Sequence, residues 1–216
     1  MTFSPRDQKR LNKIMEEFRR GFEFINHNKG VVVFGSARTK ACGDYYEKAY
    51  QIGRELAIRG YNVVTGAGGG IMEAANKGAI EAGGKSIGLN IMLPTQQDSN
   101  DYLTDSCTFE HFYVRKVIFT KCSFATIVCP GGYGTLDELF EQVTLLQNRK
   151  IKNRPLVLFG KDHYKGLVQW IKTILHEGEF IGKEDLDRVI KLTDDPVEAV
   201  EFVDKYYKET NPAFFL

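Results

Sequence analysis

Ser123-Phe124-Ala125-Thr126-Ile127-Val128-Cys129 runs directly into Pro130-Gly131-Gly132-Tyr133-Gly134-Thr135-Leu136-Asp137-Glu138. The first seven residues read as a buried strand and Leu136 to Gln147 as a helix, so the glycines occupy a strand-to-helix turn. Such a turn suits an anion. Backbone N–H groups converge there, the helix dipole adds positive potential, and the missing Cβ atoms let a phosphate reach the backbone. A carboxylate one turn into that helix, Glu138, would then face a bound phosphate, and charge repulsion disfavours that position unless the group takes part in chemistry.

The same alternation extends in both directions. Val31 to Phe34, Asn62 to Thr65, Lys85 to Asn90, Thr108 to Phe112, Pro155 to Phe159 and Val189 to Leu192 read as further strands. Between them the spacing predicts helices over 44–59, 71–82, 113–121, 164–176 and 196–207. Asp44-x-x-Glu47 has the form of a capping box, and Gly60 follows that helix. Strands that alternate with helices need crossover connections, which gives an α/β fold with a Rossmann-like, doubly wound parallel sheet. Leu11, Ile14, Met15, Phe18, Phe22 and Ile25 recur at helical spacing, so residues 6–27 form an amphipathic helix with a basic outer face that docks on its own domain or on a second subunit. The organisation expected is an N-terminal helical extension over 1–29, a single domain over 30–210 and an apolar tail over 211–216.

Composition narrows the function. The 216 residues are 43% hydrophobic, enough for one well-buried domain, and the net charge of +1 gives no general attraction to nucleic acid or an anionic membrane. Cys42, Cys107, Cys122 and Cys129 show no CxxC spacing and suit reduced thiols, hence a cytoplasmic location. Residues 1–30 contain no apolar signal core, and no stretch approaches the roughly 20 apolar residues of a membrane span.

Three glycine-bearing segments follow strands: Gly35-Ser36-Ala37-Arg38, Gly66 to Gly70, and Gly131 to Thr135. In open α/β sheets such turns border a crevice where the strand order reverses, and two of them can clamp a phosphate and its sugar. Each can equally be no more than a tight turn. None continues as GxGxxG, no GKS or GKT occurs, and there is neither GxSxG nor HExxH, which disfavours a dinucleotide site, a P-loop, a serine hydrolase and a zinc protease. His27, His111, His163 and His176 lack zinc-ligand spacing, so no metal is expected. Glu138 has a structural reading as well, because Thr135-x-x-Glu138 fits a capping box. Arg115-Lys116 likewise suits a solvated helix face.

The pairing of motifs is more specific than any one glycine run. Pro130 to Glu138 resembles the PGGxGTxxE signature of the Lonely-guy (LOG) family of cytokinin-activating phosphoribohydrolases, often labelled lysine decarboxylase-like. Tyr113-Val114-Arg115-Lys116 is similar to the Arg-Lys element that precedes it there. Gly68 to Asn76 (GGGIMEAAN) and Ser86 to Asn90 resemble the longer bacterial subgroup, and the likeness covers about residues 30–205. Phe112-Tyr113 replaces the common Met-His, which bears on base recognition, and Asp137 replaces a usual Glu.

The resemblance implies hydrolysis of the N-glycosidic bond of a nucleoside 5′-monophosphate, AMP or an N6-substituted AMP, to a free base and ribose 5-phosphate. It implies Glu138 and Arg115 as catalytic residues. Glu138 would stabilise the oxocarbenium-like sugar and orient or deprotonate water, while Arg115 would neutralise charge on the leaving base or the substrate and hold Glu138. The substrate-binding set is Ser36, Gly68, Gly69, Gly70, Glu73, Asn90, Lys116, Gly131, Gly132, Gly134 and Thr135, with Lys116 on phosphate or ribose. No cofactor is implied, and a homodimer or larger homo-oligomer with the site near the subunit interface is.

The rival reading is a carrier of a nucleotide or phosphorylated cofactor on the same scaffold, such as the molybdenum-cofactor carriers, which has no need of the Arg115 and Glu138 pair. A DNA-binding module is disfavoured by the near-neutral charge. Amino-acid decarboxylation normally uses pyridoxal phosphate held by a lysine, and no lysine stands out for that role.

Overall fold

The apolar runs pair side by side, every strand in the same direction, because each is followed by a segment long enough to cross back over the sheet. The computed structural model describes residues 4–94, 99–182 and 190–210, so the expected apolar tail lies outside the described residues. Among them the elements run α1 (Pro5–Ile25), β1 (Gly30–Phe34), α2 (Asp44–Ile58), β2 (Val63–Thr65), α3 (Ile71–Glu81), β3 (Ser86–Ile91), β4 (Asp105–Phe109), α4 (Phe112–Cys122), β5 (Ser123–Val128), α5 (Tyr133–Gln147), β6 (Leu156–Phe159), α6 (Lys161–Trp170), β7 (Ile190–Thr193) and α7 (Pro196–Thr210). The helix begun by α6 widens into a π-type segment over Ile171–His176.

The sheet order is β4-β3-β2-β1-β5-β6-β7, all parallel, as a Rossmann-like doubly wound fold requires. The chain builds outward from β1 to β4, then returns to the other side of β1 with β5. Residues Val31, Val32, Val33 and Phe34 face Ala125, Thr126, Ile127 and Val128 across that reversal.

Strands buried on both faces must be apolar throughout, and β1 shows how the two cores divide. Val31 and Val33 pack with Ile52, Leu56, Ile71 and Val203 from α2, α3 and α7. Val32 and Phe34 pack on the other face with Ile25, Ile118, Phe119, Leu139 and Tyr164 from α1, α4, α5 and α6. The first helix therefore closes over the same layer as α4 and α5, with Ile25 buried.

Several expected boundaries move. β4 lies at Asp105–Phe109, not 108–112, and α4 begins at Phe112. Gly43, not Asp44, is the N-cap of α2 and no side chain caps it, while Asp44 instead pairs with Lys48 at 2.8 Å one turn on. The structure also starts α5 at Tyr133, three residues before the expected Leu136. That shift removes the Thr135–Glu138 capping box: Gly132 is the N-cap, without a side-chain cap, and Glu138 falls in the second turn. No helix among the described residues is long and apolar enough to cross a membrane.

Candidate active site

The reversal between β1 and β5 places the loops after both strands at one rim of the sheet, where ligands of such folds bind. Backbone bonds stitch these loops and the β2–α3 turn together at Ser36. Its N–H donates to the Pro130 carbonyl at 3.0 Å, and its carbonyl accepts from the Ile71 N–H at 3.0 Å. Its Oγ accepts from the Arg38 N–H at 3.0 Å. A cleft of about 610 Å³ opens between the loops, walled by residues that include Ser36, Arg38, Asn90, Arg115, Gly132, Gly134, Thr135 and Glu138.

Glu138 is only 4% exposed. Its Oε1 lies 4.0 Å from Arg115 Nη2, and its Oε2 is buried without a hydrogen-bond partner among the described residues. Burial pushes its carboxyl up to about 7, against the pull of Arg115, with Glu141 adding to the rise. Arg115 Nε is also buried and unpartnered. The guanidinium carbon sits 5.3 Å from the Phe112 ring centre and 5.5 Å from that of Phe119, a cation held by two aromatic faces. Burial lowers its pKa, opposed first by Glu138. Two unsatisfied groups of opposite charge thus face one cleft, in an arrangement that packing alone does not favour.

The helix end beside them is open. With Gly132 as N-cap and no capping side chain, the N–H groups of Tyr133, Gly134 and Thr135 have no intrahelical acceptor. Gly132 and Gly134 leave the approach to them clear, since a Cβ at either would meet nothing within 4 Å.

Other expected contacts fall elsewhere. Gly131 is off the cleft wall, where its N–H points to His163 Nε2 at 3.4 Å and a Cβ would lie 2.1 Å from Thr135 Oγ1, so only glycine fits. Gly68, Gly69 and Gly70 are also off the wall, to which their segment contributes Gly66 and Met72. Gly70 adopts φ +63, where a Cβ would lie 2.4 Å from the Ser36 carbonyl oxygen, and the Gly68 carbonyl accepts from Asn100 Nδ2 at 3.0 Å. This glycine run is held from below by a buried network. Thr65 Oγ1 donates to Asn76 Oδ1 at 2.6 Å, and Asn76 Nδ2 donates to Ser86 Oγ at 2.7 Å. Glu73 accepts from the buried Tyr46 hydroxyl at 2.8 Å, away from the wall. Asn90 is on the wall, with Oδ1 accepting from the Ile91 N–H and Nδ2 donating to Ser99 Oγ. Lys116 is not, being held by Asp137 at 2.9 Å and Glu141 at 3.5 Å.

Of the apolar half of the wall, only Phe112 was singled out by motif reading. Phe34, Phe112, Phe119, Met72, Ile91 and Leu93 form it, and in sequence such residues look like ordinary core. A second cavity, of about 640 Å³, lies at the amino-terminal ends of β5 and β6. Its buried Arg154 is spent on the Thr120 and Ser123 carbonyls, and the buried Oε2 of Glu141 on its wall, though without a hydrogen bond, lies 3.5 Å from Lys116 Nζ.

Residues 72–203 match a family model described as "Possible lysine decarboxylase". A probable cytokinin riboside 5′-monophosphate phosphoribohydrolase of Oryza sativa subsp. japonica, LOGL5, is 33% identical over 68% of this chain and 61% of its own length. The cytokinin riboside 5′-monophosphate phosphoribohydrolase LOG3 of Arabidopsis thaliana is 30% identical over 68% of this chain and 69% of its own. The chain belongs to the LOG family. It spans less than two thirds of the rice relative. Among solved structures, the molybdenum cofactor carrier protein of Chlamydomonas reinhardtii superposes with a TM-score of 0.59 at 22% identity, over 84% of this chain and 99% of its own. The molybdenum cofactor binding protein of Rippkaea orientalis gives 0.62 at 22% identity, over 82% and 97%. At that identity the likeness is one of fold, shared by this LOG-family chain and the carriers.

Proposed function

We propose that the protein hydrolyses the N-glycosidic bond of a nucleoside 5′-monophosphate, AMP or an N6-substituted AMP, with water as co-reactant and a free purine base and ribose 5-phosphate as products. The observation that carries this reading is Glu138: buried, unpaired on one oxygen, released from any capping duty and opposed by Arg115 across a cleft beside an open helix end. In this reading the phosphate sits on the N–H groups of Tyr133, Gly134 and Thr135, with Arg38 at the rim. The base lies among Phe112, Phe119, Met72 and Leu93, and C1′ faces Glu138.

As the base departs, positive charge grows on the sugar, and an ionised carboxylate in a dry site opposes it strongly. The same carboxylate aligns water for attack at C1′ and takes its proton. Arg115, cationic throughout, offsets the electron pair that leaves with the base, and the proton taken by Glu138 passes through solvent to the base nitrogen, which gives the neutral purine and restores the carboxylate. Decarboxylation on pyridoxal phosphate fits less well, since no lysine is on the described cleft wall. The reading includes a homo-oligomer, with Tyr133, 94% exposed at the rim, meeting a second subunit. Light scattering on the purified chain checks this.

The deciding experiment follows base release from AMP and N6-isopentenyl-AMP by chromatography. Release by the wild type, with Glu138→Ala and Arg115→Ala each losing about 10²–10⁴-fold while still binding AMP, supports the proposal. Binding without release by the wild type makes the protein a carrier.

A further inference from the structure

Among the charged residues of α1, Glu17 is the exception. It is 8% exposed, whereas Lys13, Glu16, Arg19 and Arg20 beside it are not buried. Its Oε1 accepts from His111 Nδ1 at 2.9 Å, and its Oε2 accepts from the backbone N–H groups of Glu110 and His111, each at 3.3 Å. These groups form the entry to α4. His111 is the N-cap of α4, makes no side-chain cap of its own, and no acidic residue lies in the first turn of that helix. A carboxylate at a helix N-terminus is favoured by both hydrogen bonding and the dipole, and here a different helix supplies it. Apolar packing does not need it, because Ile25 and Gly21 already seat α1, the latter against Ile118 and Phe109.

The turn so held carries the site. The Arg115 N–H donates to the His111 carbonyl at 3.2 Å, and Phe112 and Arg115, the first and fourth residues of α4, are on the cleft wall opposite Glu138. We propose that Glu17 is a positioning residue: from α1 it fixes the first turn of α4 and thereby the placement of Arg115 against Glu138. Glu17 lies outside residues 72–203, the part of the chain that the family model matches. The inference rests on the phosphoribohydrolase reading for its kinetic readouts, and has a separate one in amide exchange.

The groups that set the ionisation of Glu138 are Arg115 and Lys116 on α4 and Asp137 and Glu141 on α5. Arg115 favours the charged form, so loosening it raises the Glu138 pKa and moves the acidic limb of kcat/KM to higher pH. A purely structural role for Glu17 leaves that limb in place. Glu17→Ala is expected to lower kcat about tenfold or more with KM within about threefold, to move the limb upward, and to speed amide exchange over residues 112–116 about tenfold. Glu17→Gln, which can still accept from both backbone groups, is expected to recover most of each.

A folded Glu17→Ala protein with unchanged kcat, limb and exchange overturns the proposal, as does faster exchange with unchanged kcat. If Glu17→Ala does not fold, His111→Ala removes one of the three bonds and is read the same way, with a smaller loss expected and no loss overturning it. Should the wild type cleave no nucleotide, the functional reading fails, and the brace stands or falls on the exchange of residues 112–116.

Discussion

At 4% exposure, with one oxygen unpartnered, the Glu138 carboxylate is a liability to folding. Its pKa of about 7 against an ordinary 4.5 means that between those values the folded protein holds more protons than the unfolded chain. Wild-type stability therefore falls as pH rises through that window and stays reduced above it. Glu138→Gln cannot ionise, so it should match the wild type at about pH 4 and exceed it by on the order of 1–3 kcal/mol at about pH 8, as urea denaturation at the two pH values will show. The same substitution should abolish turnover, and the wild-type kcat/KM should rise through an apparent pKa near 7 as the carboxylate forms. Equal stability gains at both pH values would mean that something other than its buried charge destabilises the wild type.

At the scale of elements, the turn into α5 combines two glycines with separable duties. A Cβ at Gly131 would lie 2.1 Å from Thr135 Oγ1, whereas one at Gly132 meets nothing within 4 Å but stands on the cleft wall. Gly131→Ala should cost about 1–3 kcal/mol of stability, while Gly132→Ala should leave stability within about 0.5 kcal/mol and raise KM for AMP. Denaturant titration paired with steady-state kinetics separates the two. The glycine turn was legible in sequence because strand, glycines and helix follow one another. The onset of α5 was not, since Tyr133-Gly134 carries no helical signal and no capping side chain marks the start. Central strands such as β1 announced themselves as unbroken apolar runs. β4, at the sheet edge, alternates exposed and buried residues and was placed three residues late. Arg115 and Lys116 were read together, yet neighbours on a helix point about 100° apart, so one reaches the cleft and the other pairs with Asp137 and Glu141. Glu17 gave no signal at all, since its inward face depends on a partner 94 residues away.

Across the whole molecule the two cores leave few routes inward. Cys122 and Cys129 are 1% exposed, and burial pushes each thiol up to about 12; Cys107 is also buried and raised, again chiefly by burial. Cys42 is exposed. A thiol reagent should therefore label Cys42 quickly in the native protein and all four cysteines only after denaturation. Fast native labelling of Cys122 or Cys129 would show that the sheet layers open readily. The seam between β1 and β5 has a further consequence, for synthesis. Val31 pairs with Ala125, so the two banks of the cleft leave the ribosome roughly 5–20 s apart at ordinary elongation rates. Through that interval β1, bonded to β2 on one side, shows a bare apolar edge on the other, a template for unwanted pairing until β5 arrives. A nascent chain halted before residue 123 would carry half a sheet, its first two glycine turns and no cleft.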